Sequence, residues 1–139
     1  MDSPILPSPT PDAGIYDEYF RLTNEYKVKY GPKTLVLLQV GAFFEVYGLK
    51  RPDTGDIYGS CISELSEICQ LNVSEKKASF DNSQILMAGF RDYTIDKYLT
   101  KLVEYGYTIP VFIQEKVGKT IKRVLDQVYS PGTLISCET

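Results

Sequence analysis

Phe43 and Glu45 are the residues of this chain whose types and spacing most suggest chemistry. They lie in Gly41-Ala42-Phe43-Phe44-Glu45-Val46-Tyr47-Gly48, after the apolar run Leu35 to Val40, which reads as a buried strand. Side chains alternate faces along an extended segment, so Phe44 and Val46 share one face while Phe43 and Glu45 share the other. A carboxylate suits a core poorly unless it is paired, which makes the Phe43 face the wetter one. A large aromatic beside a carboxylate on a surface needs an explanation, and a binding role is one. The ordinary alternative is structural, with the ring tucked under a neighbouring helix, since single exposed apolar residues are common. Alternation sets one expectation whatever the function: Phe44 and Val46 are buried, and Phe43 and Glu45 are not.

Other chemistries find less support. The 139 residues include no His, which removes the usual general base, the usual metal ligand and any Ser-His or Cys-His nucleophile pair. Cys61, Cys69 and Cys137 form no CxxC and make no zinc site without His. Gly118-Lys119-Thr120 ends like a phosphate-binding loop, but Ile113 stands where the first glycine belongs. Glu45, Asp53, Asp56 and Glu115 are the carboxylates an enzyme would use, and nothing in their spacing gathers two of them around a substrate. Binding without catalysis is therefore expected. A net charge of -3, from 15 Lys plus Arg against 18 Asp plus Glu, argues against gripping nucleic acid by bulk charge and leaves local basic contacts open. No apolar run is long enough to span a bilayer, so no membrane partner is expected. The odd cysteine count, with no signal-peptide pattern, suggests a reducing intracellular setting.

The elements that must position Phe43 and Glu45 follow from periodicity. Residues 1–12 hold four of the eight prolines and read as a flexible arm. Ile15, Tyr19, Leu22 and Tyr26 make one apolar stripe of a helix from about Ala13 to Tyr30, stopped by Gly31-Pro32. Strands are expected over Thr34–Val40 and Phe43–Leu49, with turn residues from Arg51 to Asp56. A short helix over Ser60–Gln70 turns Ile62, Leu65, Ile68 and Cys69 inward. Leu71–Val73 could form a short strand, and the polar stretch Glu75–Ser83 reads as a loop. A strand over Gln84–Ala88 ends at a turn at Gly89. The helix Asp92–Tyr105 turns Ile95, Leu99 and Leu102 inward and is capped by Gly106. Tyr107–Gln114 is a strand whose Pro110 suggests a sheet edge, and Arg123–Tyr129 follows the turn Val117–Thr120. This alternation predicts a single α/β domain, a mixed β-sheet of about five to six strands packed by about three helices.

Set in this frame, the chain resembles the N-terminal mismatch-recognition domain, domain I, of the MutS family of DNA mismatch-repair proteins. Gly41-Ala42-Phe43-Phe44-Glu45 matches the family pattern Gly-x-Phe-Tyr-Glu after an apolar strand. Met87-Ala88-Gly89 is similar to its Met-Ala-Gly turn, and Tyr98-Leu99 with Lys101-Leu102-Val103 and Gly106 to its next helix. Ser130-Pro131-Gly132-Thr133 resembles its closing Thr-Pro-Gly-Thr. The resemblance covers roughly Tyr16 to Thr133. It departs from the pattern at Ala42 and Phe44, at Arg91 and Tyr93, where Pro and His are usual, and at Ile113-Gln114, where Glu-Gln is usual. Residues 49–59 form an extra loop. The implied division is a Pro-rich arm at 1–12, a recognition domain at 13–135 and the start of a linker at 136–139.

The resemblance implies binding to mismatched double-stranded DNA, with Phe43 as a minor-groove wedge. An apolar ring can enter a base step, partly unstack it and kink the duplex, at about a few kcal/mol per step. That cost is least where the base is already mispaired, so one ring can sense deformability without reading sequence. Glu45 is repelled by phosphates, and a displaced base offers it a partner that an intact duplex does not. To face a base acceptor it must carry its proton, a form that a surrounding polyanion favours. Met87, Gly89 and Arg91 are expected beside the DNA, and Lys76 and Lys77, with Lys50 and Arg51, are candidate phosphate contacts. For each cation the alternative is a solvated surface charge; for Gly89 it is a turn glycine, and for Met87 a core position. The resemblance further implies a second MutS-like subunit, and ATP with Mg only in the parent protein's ATPase domain, so this chain needs no cofactor of its own. The parent would reside with the genome it serves, in cytoplasm, nucleus or organelle, or as a viral protein. The rival is a protein-interaction module that keeps the fold without binding DNA, with Phe43 anchored in a partner's pocket.

Overall fold

The computed structural model of the chain describes residues 9–132, with side chains from residue 14. Most of the expected Pro-rich arm, Thr133 of the closing motif, Cys137 and the expected linker at 136–139 lie outside the described residues. Helix α1 spans Pro9–Tyr30 and begins four residues earlier than its apolar stripe suggests. The first turn of a helix has no partners for its N–H groups, so Pro9 and Pro11 fit there without losing a bond. The stripe is also broader than expected. Tyr16, Phe20 and Thr23 are buried beside Tyr19 and Leu22, whereas Ile15 and Tyr26 are partly buried. Gly31, at φ +105°, closes the helix by donating from its N–H to the Lys27 carbonyl at 2.8 Å.

Seven strands form one mixed sheet among the described residues. They are β1 (Leu37–Val40), β2 (Phe43–Lys50), β3 (Ile57–Tyr58), β4 (Ser74–Phe80), β5 (Ser83–Arg91), β6 (Ile109–Val117) and β7 (Thr120–Tyr129). The order is β4-β5-β2-β1-β6-β7, with β3 pairing the far end of β2. β1 and β6 run parallel and the other pairs are antiparallel. Helices α2 (Ile62–Cys69) and α3 (Ile95–Glu104) complete the fold, α3 being preceded by a 3₁₀ turn at Asp92–Thr94.

The two faces of the sheet are covered unequally. Tyr16 and Tyr19 of α1 meet the Tyr47 ring edge-on, at 5.0 and 5.3 Å between centroids. Phe20 stacks on Phe80, and Tyr26 meets Phe112. Helix α1 therefore lies on the face that carries the odd-numbered residues of β2. The opposite face meets α2 and α3. A side chain at Gly48 would strike Ile62 of α2 at 2.5 Å, and Phe90 stacks on Tyr98 of α3 at 4.3 Å.

Three local expectations are corrected. Glu75–Ser83 is no loop. It holds the edge strand β4 and the turn to β5, where Asp81 and Asn82 both take positive φ, as a two-residue hairpin requires. Polar side chains suit a sheet edge. Leu71–Val73 is not a strand. Pro110 does not mark an edge: β6 lies between β1 and β7, and Pro110 sits at its start, ahead of the Val111 and Phe112 positions that pair with β1.

Candidate nucleic-acid interface

The two-residue turn Gly41–Ala42 joins β1 to β2 and sets Phe43 against Val40. Gly41 has φ +62°, a conformation that costs glycine little. Alternation then runs as the sequence demands. Phe43 is 41% exposed, Phe44 5% and Val46 0%, and Glu45 is half-buried.

Tyr47 comes next on the Phe43 face and is 3% exposed. Its hydroxyl donates to Glu45 Oε1. Burial, and then the carboxylate it donates to, push the Tyr47 phenol far above its ordinary range, so it stays a donor at any working pH. One carboxylate oxygen is thereby held, and Oε2 remains for a ligand.

Across the sheet β5 supplies the neighbours. Arg91 pairs with Phe43, Gly89 with Glu45 and Met87 with Tyr47. The Arg91 guanidinium carbon lies 5.3 Å from the Phe43 ring centroid and 5.7 Å from that of exposed Tyr93, which places a cation against the candidate wedge. Gly89 stands inside the strand, so the expected Met-Ala-Gly turn is absent here. A Cβ at Gly89 would sit 2.6 Å from the Phe44 carbonyl oxygen and 3.3 Å from Glu45 Cγ. The glycine is required by the sheet itself and makes room for the Glu45 stem.

Phe43, Glu45, Met87 and Gly89 line an open cleft of about 310 Å³ together with Asn72 and Ser74, Ser74 being the cross-strand partner of Met87. Met87 is half-buried in mid-strand and lines the cleft. Lys76 and Lys77 lie on β4 beyond Ser74, where its register with β5 slips, and do not line the cleft. Lys50 is engaged by Glu75 at 2.9 Å and holds that carboxyl below its usual range. Arg51 stacks on Tyr58 at 4.1 Å. Asp53, Asp56 and Glu115 stand elsewhere, leaving Glu45 as the carboxylate of the cleft. Among the described residues no three His, Cys, Asp or Glu gather as a metal site, and no helix is long and apolar enough to cross a membrane.

The sequence pattern assigns no site role to Tyr47, Asn72, Ser74 or Gln114. Tyr47 was within reach, since it falls two residues after Glu45 on the same face. Asn72 lies in Leu71–Val73, where the sequence suggests a strand, and Ser74 directly before Glu75–Ser83, where it suggests a loop. Gln114 holds the Gly41 turn from 73 residues away, and no local pattern signals such a contact.

MutS domain I matches residues 53–138, and Phe43 and Glu45 precede that span. The chain is 32% identical over 130 residues to a protein of Acanthamoeba polyphaga mimivirus named as a homologue of the DNA mismatch repair protein mutS, covering 88% of this chain and 11% of that protein. It is 30% identical over 121 residues to the DNA mismatch repair protein MutS of Lactobacillus delbrueckii, covering 84% and 12%. With the MutS of Prochlorococcus marinus it shares 28% over 116 residues, covering 80% and 11%. The chain thus spans about a tenth of the length of these curated relatives.

Proposed function

Because the chain belongs to the MutS family, matching its domain I, we propose that it recognises mismatched double-stranded DNA as one domain of a longer mismatch-repair protein. The observation that carries this is an exposed Phe43 at the tip of a fixed hairpin, flanked by Glu45 and Arg91. A ring so placed can enter a base step from the minor groove without first being freed from a core. Arg91, held against that ring, would offer a cation to a phosphate beside the step. Glu45, tethered by Tyr47, lines the cleft, where a displaced base edge would be a better partner for it than a phosphate. Net charge -3 leaves most of the affinity to other domains and to a second MutS-like subunit, with ATP and Mg²⁺ used by an ATPase domain outside this chain. The protein would work wherever the genome it serves is kept.

The test compares mismatched and matched duplex binding by the whole protein and its Phe43→Ala variant. The expected result is loss of the mismatch preference and of most binding, by about a few kcal/mol, because the wedge's contacts must at least offset the unstacking of one step. Equal affinity of wild type and variant for the mismatched duplex would sink the wedge. Binding that ignores salt and DNA, with a protein partner captured through Phe43, would favour the interaction-module alternative.

A further inference from the structure

The turn that presents Phe43 consists of Gly41 and Ala42, which have no side chains able to hold it. Its polar backbone groups are bound from elsewhere. The Gly41 N–H donates to Gln114 Oε1 at 2.7 Å, and Gln114 Nε2 donates to the Gly41 carbonyl at 3.2 Å. The Asp92 N–H donates to the Ala42 carbonyl at 2.8 Å. The backbone pairing of β1 with β6 reaches Leu38 and Phe112. Past that point the Gln114 N–H donates to Gln39 Oε1 at 2.8 Å, and Arg123 Nε donates to the Gln39 carbonyl at 2.7 Å. Side chains thus continue the ladder where backbone leaves off. The Gln114 amide offers one donor and one acceptor in a plane, the complement of the Gly41 peptide groups.

We propose that Gln114 is a positioning residue for Phe43, its side-chain amide fixing the Gly41 turn so that the ring stands out before DNA arrives. This rests on the wedge role given above to Phe43. A ring on a loose turn is competent for only part of the time, and apparent affinity falls by that fraction. Glu would not serve in its place: it keeps the acceptor for the Gly41 N–H and sets a second acceptor against the Gly41 carbonyl.

The test uses the whole protein with Q114M, which keeps the stem and loses the amide, and Q114E, each alone and combined with F43A. The readouts are the ratio of mismatched to matched duplex affinity, melting temperature, and amide exchange at residues 41–43 without DNA. With both exposed bonds gone, Q114M is expected to lower the ratio about three- to tenfold, to speed exchange at the turn and to leave the melting temperature near wild type. Q114E is expected to lower the ratio at least as far. On the F43A background neither change should weaken binding further. A wild-type ratio in Q114M, with F43A still defective, overturns the positioning role and leaves the wedge intact. Further loss in the double variant also overturns it, because Gln114 would then act apart from Phe43. A wild-type ratio in F43A instead overturns the wedge itself.

Discussion

Tyr47 and Phe43 are aromatic residues on one face of one strand, four positions apart, and they meet different surroundings. Tyr47 lies under α1, edge-on to Tyr16 and Tyr19, and Tyr19 in turn donates its hydroxyl to the Val36 carbonyl at 2.8 Å. Phe43 projects beyond that cover, against a guanidinium that is itself exposed. Residue type does not separate them; the reach of the helix does. Along β5 the same gradient appears, from buried Ile85 through half-buried Met87 and Gly89 to exposed Arg91. The covered end fixes the sheet, and the bare end is left free to meet a ligand.

The largest effect expected from this contrast is on stability. Tyr47→Ala removes a buried ring from between two others and should cost about 3–5 kcal/mol, whereas Phe43→Ala should cost under about 0.5 kcal/mol. Urea denaturation of both variants measures this directly, and a Phe43→Ala cost near that of Tyr47→Ala would place the ring in the core. The covered end should also respond to alkali. Burial raises the phenols of Tyr19 and Tyr47 and the thiols of Cys61 and Cys69 above their ordinary values. The stability these groups lend is then complete below their unfolded values, about 8.5 for a thiol and about 10 for a phenol. It is lost as pH rises past them, because the unfolded chain releases protons that the folded chain keeps. Each such tyrosine adds up to about 1.4 kcal/mol per pH unit to that slope above pH ~10. Denaturation midpoints from pH 7 to 11 would show it, and Tyr19→Phe should flatten the curve.

The same contrast explains what the sequence could reveal. Alternation separates Phe44 and Val46 from Phe43 because face assignment needs only local geometry. The stripe of Leu99 and Leu102 marks α3 for the same reason. Gly89 looked like a turn because glycine usually punctuates, yet here it stands in mid-strand, where the Phe44 carbonyl leaves no room for a Cβ. β4 has little apolar content to announce it, being an edge that relies on pairing with β5. The Gly41–Gln114 bonds and the far reach of α1 are tertiary facts without local periodicity. The motif for the bare end was therefore legible, and the parts that hold it in place largely were not.

Within the bare end, Phe43 and Glu45 should be separable. Glu45→Ala is expected to lower the ratio of mismatched to matched affinity about tenfold, the scale of one hydrogen bond to a charged group. Affinity for matched duplex should hold or rise, since a carboxylate near phosphates is removed. Fluorescence anisotropy with the two duplexes reads both quantities. Parallel loss on both duplexes would make Glu45 a structural support for the hairpin.

The smallest change probes the border between the two ends. Tyr47→Phe keeps the ring in its place against Tyr16 and Tyr19 and removes only the hydroxyl that donates to Glu45. Stability should fall by about 1 kcal/mol or less, the net worth of one such bond. Glu45 would then be free to turn, so the mismatch preference should drop by about two- to threefold, less than in Glu45→Ala, with matched affinity unchanged. In the Glu45→Ala background the hydroxyl has no carboxylate to hold, and its removal should leave the preference unaltered. A full mismatch preference in Tyr47→Phe alone would mean that the carboxylate orients itself. The border between structural cover and recognition surface would then fall between residues 45 and 47, with Tyr47 wholly on the covered side.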